Sequence, residues 1–159
     1  MNYSLLPIIL YGGMVMSTLA QNQFESDVLP TSAGNLTMTF IGHGTLMFGF
    51  DGKTIHVDPY GKLADYAALP KADAILVTHD HADHLDPAAI AAIRTPGTVV
   101  VMARSCAGKL DGLVMTNGES RTVLGIRVEA VPAYNIVNKR GTGQPFHPRG
   151  AGNGYLLCF

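Results

Sequence analysis

The chain has 159 residues, 47% of them hydrophobic and 14% charged, which excludes an intrinsically disordered chain and leaves room for one globular domain or less. Eleven Lys and Arg against twelve Asp and Glu give a formal net charge of −1, so the sequence carries no electrostatic footprint for nucleic acid. Two cysteines, Cys106 and Cys158, are too few for a disulfide scaffold and read as small buried side chains, although they could pair in an oxidising compartment.

Residues 5–20 are apolar or small throughout, and the first charged side chain is Glu25. The stretch is shorter than the roughly 20 residues that cross a bilayer, and Thr18-Leu19-Ala20 precedes Gln21 as a small-residue cleavage site. Residues 1–20 therefore read as a secretory signal, which implies a secreted or periplasmic protein. Met1-Asn2-Tyr3-Ser4 lacks Lys and Arg, so an uncleaved membrane anchor is the alternative. Residues 21–34 read as a short polar leader, and residues 35–159 as the domain.

Strand signals follow at residues 36–41, 45–50 and 53–58, the last two joined by Asp51-Gly52, a strong hairpin cue. Residues 74–78, Ala-Ile-Leu-Val-Thr, are apolar and largely β-branched and predict a buried strand. Asp86 suits an N-cap and Pro87 the first helical position, so a helix is expected from there to about Arg94. With a strand at 98–102 this gives a strand-helix-strand unit of a layered α/β fold. A short helix is expected over 104–109, and further strands over 113–115, 122–124 and 126–131. Residues 132–154 carry several Gly and Pro, lack periodicity, and exceed the roughly 12 to 15 residues of an ordinary connection, which marks a functional or disordered loop.

Chemistry concentrates at the end of the 74–78 strand. His79-Asp80-His81-Ala82-Asp83-His84 places three of the six histidines and two carboxylates within six residues. In extended backbone alternate side chains share a face, so His79 and His81 can offer two imidazole nitrogens to one ion. Asp83 and His84 fall in the turn before the helix, where they could serve a second ion or orient water. A merely polar loop would favour Gly, Asn, Ser and Pro, and gains nothing from three imidazoles. The donor set suits zinc, iron or manganese.

The pattern His-x-His-x-Asp-His after an apolar strand resembles the signature of the metallo-β-lactamase-fold hydrolases. Phe40-Ile41-Gly42-His43-Gly44-Thr45, Asp51 to Pro59, Val131-Pro132-Ala133-Tyr134-Asn135, Phe146-His147-Pro148 and Gly154-Tyr155 resemble the branch that contains ascorbate-phosphate lactonase and the N-acylphosphatidylethanolamine phospholipases. The resemblance covers roughly residues 36–159. It implies an αββα sandwich, of which this chain supplies mainly the N-terminal half. It also implies a divalent metal, zinc first and manganese or iron as alternatives, bound as one or two ions. The activity it implies is hydrolysis of a small-molecule ester, lactone or phosphodiester by metal-activated water.

On this resemblance His79, His81, Asp83 and His84 are metal ligands, and Asp83 doubles as the catalytic proton acceptor. Asn135 occupies the place where many relatives carry a further metal-binding histidine. Either His147 takes that role or the site has fewer protein ligands, and His147 as a ligand or substrate contact stands beside His147 as a structural loop residue. His43, in a Gly-His-Gly turn, is expected near the metal mouth as a support or substrate contact. Asp58 is expected to orient the ligating histidines. His56 reads as structural and Asp80 as a turn residue, while Tyr134 and Arg149 could meet an anionic substrate. The apolar run 154–159 is expected to stop mid-fold, because relatives continue into a second αββα half that supplies a bridging aspartate and another histidine. The exposed face would then invite self-association, and a truncated, catalytically silent metal-binding fragment is the alternative to an enzyme.

Overall fold

The computed structural model describes residues 24–159, so the expected signal lies outside the described residues. Among the described residues ten strands and one α-helix follow in chain order. Strands β1 (Glu25–Thr31), β2 (Gly34–Gly42), β3 (Thr45–Phe50) and β4 (Lys53–Val57) form an antiparallel meander. Strands β5 (Ala74–Val77), β6 (Val99–Ala103) and β7 (Leu113–Met115) then add in parallel, giving one seven-stranded sheet in sequential order. A second sheet holds β8 (Ser120–Val123), β9 (Ile126–Ala133) and β10 (Gly152–Cys158), antiparallel in the order β10-β9-β8. Helix α1 (Pro87–Ile93) connects β5 to β6.

The period-2 alternation of strand side chains explains the layering. In β5, Ile75 and Val77 pack with Ile90 and Ile93 of α1, whereas Ala74 and Leu76 pack with Met115, Val128 and Ala130 between the two sheets. All four residues of β5 are at most 1% exposed. Burying each of its large aliphatic side chains contributes roughly 1.5 to 3 kcal/mol. One helical layer and two facing sheets are the layers expected of the sandwich.

The helix begins as expected. The Asp86 carboxylate accepts from the backbone N–H groups of Ala88 (3.0 Å) and Ala89 (3.2 Å), and its other oxygen accepts from Gly61 N (2.9 Å). At the Asp51-Gly52 hairpin both residues have positive φ, 47° and 68°, as a tight turn that matches strand twist requires.

Five expectations need correction. Of the two cysteines read as buried, Cys106 is buried but Cys158, at the end of β10, is exposed. Residues 25–31, read as part of a polar leader, form β1. This strand is held by backbone pairing to β2 and is almost wholly exposed, so it has no hydrophobic pattern to announce it. The short helix expected over 104–109 reduces to one 3-10 turn, Arg104–Cys106. Strand β8 stops at Val123, because Leu124 (φ 54°) and Gly125 (φ 84°) make the reversal into β9. The long connection expected over 132–154 is narrower, since β9 runs through Ala133 and β10 starts at Gly152.

Candidate metal centre

The site is built where β4 and β5 end. Strand β5 stops at Val77, and its end is pinned from the second sheet: Tyr155 donates its hydroxyl to Val77 O (2.9 Å), and Asn153 N donates to Thr78 O (2.9 Å). Asp58, just past β4, takes a left-handed backbone (φ 45°) and is 2% exposed.

Both carboxylate oxygens of Asp58 are committed. One accepts from Thr78 N (2.7 Å), and the other from Thr78 Oγ1 (2.5 Å) and His84 Nδ1 (2.8 Å). The Thr78 hydroxyl has therefore given its proton to Asp58, and its lone pair faces His79 Nδ1 at 2.9 Å. His79 must be the donor there. By this network both His79 and His84 carry their proton on Nδ1 and leave Nε2 as a bare acceptor. His79 Nε2 is buried with no hydrogen-bond partner. A buried polar atom without a partner is costly, and a cation is the partner that a bare imidazole nitrogen among imidazoles fits.

The other rings converge on the same place. The centroid of His79 lies 4.6 Å from that of His81, 4.0 Å from His84 and 4.7 Å from His147. His147 reaches in from the 134–151 loop. Asn135 Oδ1 accepts from both the backbone N–H (2.7 Å) and the ring Nδ1 (2.8 Å) of His147, and Asn135 N donates back to His147 O (3.0 Å). That leaves His147 Nε2 facing His81 Nδ1 at 3.2 Å. One facing nitrogen from each of His79, His81 and His147 lies within 4.8 Å of the others. Two donors on a tetrahedral ion with bonds of about 2.1 Å are about 3.4 Å apart, so the spacing fits a single ion.

A second group forms beside the first. His43, Asp83 and His84 also bring donor atoms within 4.8 Å of each other. His43 Nε2 is 3.1 Å from Asp83 Oδ2, and His84 Nε2 is 3.9 Å from the same oxygen. Asp58 also lies close to His79 and His84, but with both oxygens committed it orients those rings and is not free to ligate.

Electrostatics follow from crowding. Burial, and then the neighbouring His84 and His81, push His79 down to about 4. Burial and His81 also lower His147. For His84 burial alone would act downward, but the hydrogen bond and charge of Asp58 carry it above its ordinary value. For Asp83 burial alone would act upward, but a hydrogen bond from its own backbone N–H and the charges of His84 and His43 together carry it below its ordinary value. His79 and His147 are thus neutral near pH 7, which is the form that binds metal.

Of the residues singled out from sequence, His79, His81, His84 and His147 come together, with Asp83 and His43 at the edge and Asp58 beneath. Asp80 points elsewhere and accepts from Lys109 Nζ (2.5 Å). His56 is fully buried on the helix side of the sheet, donating Nε2–H to Pro70 O (3.0 Å). Arg149 stacks over the Tyr134 ring at 5.7 Å, beside a cavity of about 420 Å³ lined by His79, His84, His147 and Tyr134. Sequence reading missed Thr78 as the relay between Asp58 and His79, Asn135 as the holder of His147, and Asn153 and Tyr155 as the braces of the strand end.

Comparison with known proteins agrees with this architecture. A family model described as a beta-lactamase superfamily domain matches residues 37–158. Over 67 residues the chain is 39% identical to a protein of Caldivirga maquilingensis named as a metal-dependent hydrolase, a match spanning 40% of this chain and 30% of that protein. A crystal structure from Parabacteroides distasonis, provisionally named a metal-dependent hydrolase, is 45% identical with a TM-score of 0.79, covering 86% of this chain and 62% of that one. CmlA, a diiron β-hydroxylase from Streptomyces venezuelae, shares the fold alone, at 21% identity and a TM-score of 0.58 over 82% of this chain and 28% of its own. The chain belongs to the metallo-β-lactamase superfamily, and it spans less than a third of the curated relative and about three fifths of the Parabacteroides structure.

Proposed function

We propose that this chain is a metal-dependent hydrolase acting on an ester, lactone or phosphodiester, with His79, His81 and His147 holding one divalent ion and Asp83 and His84 contributing to a second. The observation that carries the reading is the bare, buried Nε2 of His79, fixed in its ligating tautomer by Thr78 and Asp58 and surrounded by three further imidazoles. The names of the 39%- and 45%-identical relatives support the same class.

A bound divalent ion, zinc first by its preference for imidazole and carboxylate donors, with manganese or iron as alternatives, would supply Lewis acidity and make water acidic enough to attack near neutral pH. The protein's own groups do the rest. Asp58, through Thr78 and directly, holds His79 and His84 in one tautomer, so neither of these rings has to shift its proton when an ion enters. Asp83, ionised and partly open to solvent, stands where it can take a proton from an attacking water. Arg149, stacked on Tyr134 at the cavity rim, can meet an anionic group on the substrate.

A second reading, a metal-binding unit without turnover, is favoured by the small number of protein donors around the second position. One experiment separates the two. Elemental analysis of the purified full chain is combined with a panel of nitrophenyl esters, lactones and bis-nitrophenyl phosphate, each with wild type and His79→Ala, before and after chelation. Turnover that needs metal and is lost in His79→Ala supports the hydrolase. Stoichiometric metal without turnover supports the silent unit, and absence of bound metal refutes both.

A further inference from the structure

The geometry points to His43 as a protein ligand of the second ion, its Nε2 joining Asp83 Oδ2 and His84 Nε2; this rests on the metal-centre reading above and adds a donor to it. His43 sits between two glycines with φ 51°, a left-handed conformation that costs a residue with a side chain roughly 1 kcal/mol or more. Gly42 takes φ 133°, which only glycine adopts freely. The next residue must be small for a different reason. A Cβ on Gly44 would stand 3.1 Å from Cε1 of the His84 ring, so the turn lies directly against that ring. Together the two glycines let a strained turn press against His84 and carry the His43 side chain over it. The two rings lie 5.2 Å apart between centroids.

The three donors then have the spacing an ion needs. His43 Nε2 to Asp83 Oδ2 is 3.1 Å and His84 Nε2 to the same oxygen is 3.9 Å, on either side of the roughly 3.4 Å expected between two donors on one tetrahedral ion. His84 is already committed to this tautomer, because its Nδ1 donates to Asp58. The side chains of His43 and Asp83 are 51% and 42% exposed, so the position opens to solvent, unlike the buried His79 nitrogen. An ordinary surface His–Asp pair would explain the 3.1 Å contact. It would not explain why a left-handed turn flanked by glycines is built to bring that histidine onto a ring already aligned as a ligand.

The test uses the full chain, stripped of metal and titrated with Zn²⁺ against a chromophoric chelator and with Co²⁺ by its visible d–d absorption. Wild type is expected to take up two ions per chain. His43→Gly removes the ring while suiting the left-handed backbone, and His43→Asn is a second variant that tolerates it. Both should weaken the second ion at least tenfold and change the Co²⁺ spectrum of that step, leaving the first ion unchanged and the metal-free fold intact, with the glycine variant no less stable because the left-handed strain is relieved. His147→Ala should do the reverse, weakening the first ion. Two ions bound by His43→Gly with wild-type affinity and spectrum overturns the assignment. A single ion in wild type, unaffected by His43→Gly and supporting turnover, overturns it while leaving the hydrolase reading intact. No bound ion at all overturns both.

Discussion

Replacing Asp58 by asparagine changes almost no volume, yet it should disarm two ligands at once. The oxygen of the substituted amide must stay on Thr78 N, which lies 2.7 Å from the present carboxylate and has no other acceptor in the network. The amide NH₂ then takes the position of the second oxygen, where it faces Thr78 Oγ1 and His84 Nδ1, both of which donate to that oxygen in the native protein. Donor facing donor is relieved only if the threonine hydroxyl turns its proton toward His79 Nδ1, 2.9 Å away, and if His84 Nδ1 becomes an acceptor. Each ring then carries its proton on Nε2, the atom that should bind metal. Loss of an orienting partner typically weakens metal binding 10- to 100-fold, about 1.4 to 2.7 kcal/mol. In the proposed assignment His79 and His84 serve different ions, so each ion should weaken by about that factor. The metal-free fold should also lose about 2 kcal/mol with its charge-assisted hydrogen bonds. Chelator competition measures the first effect, and ¹⁵N NMR of the imidazoles reads the tautomers directly. An Asp58→Asn protein with wild-type affinity for both ions, or one in which His79 keeps its proton on Nδ1, refutes the relay.

Other consequences can be checked independently. Asn135→Ala removes both side-chain hydrogen bonds to His147, leaving only the backbone bond, and should weaken the first ion about 10- to 100-fold, whereas Asn135→Asp keeps the acceptor and should retain most of the affinity, as titration of the two variants would show. In the metal-free protein His79 is held near 4 and His147 is also lowered, so the folded state binds fewer protons than the unfolded state below about pH 6.5. Their contribution is complete above that pH and is lost on acidification toward 4, while the raised His84 contributes the opposite way, stabilising at low pH and fading as pH rises through its folded value. Urea unfolding should therefore show a net stability loss of about 2 kcal/mol from about pH 7 to about pH 4.5, allowing for partial solvation of the site; a flat profile would contradict it. Gly112→Ala tests the fold away from the metal centre. Its Cβ would stand 2.8 Å from Val100 O, a strand carbonyl with no room to retreat, so a loss of about 1 to 3 kcal/mol by chemical denaturation is expected, with metal affinity unchanged.

What could be read from the sequence was what local chemistry encodes. The apolar 74–78 run, the His-x-His-x-Asp-His turn and the Asp86-Pro87 cap each follow from spacing within a few residues; the strand forms over 74–77, the cap forms at Asp86, and the turn brings its histidine rings together. Strand β1 was invisible because its stability is nonlocal, residing in backbone pairing with β2 and not in a buried face. The same limit applies inside the site. Asn135 looked like the loss of a ligand, since nothing local shows that the chain returns twelve residues later and hangs His147 on that amide. The left-handed backbones of His43 and Asp58 also go unannounced. Glycines flank the first, but only tertiary contact explains why the second must turn toward Thr78.

The ties on the histidines bear on how the centre pays for its order. His79 is fixed by Thr78, His84 by Asp58 and His147 by Asn135, each through the nitrogen not offered to metal. Folding therefore meets the cost of freezing these side chains, and cations arriving later find two aligned donors at the first position and one at the second. A cation also relieves a cost the fold maintains, because the bare His79 nitrogen is buried without a partner, while the lowered proton affinity of His79 and His147 keeps their nitrogens free for the ion. His81 is different, since its ring contact in this network is with His147, itself a proposed ligand. Its orientation thus rests on another member of the cluster and not on a separate supporting group. Truncating His81 should remove one bond from a preformed site, whereas truncating Thr78 or Asp58, neither of which touches the metal, should disorganise the donors they hold.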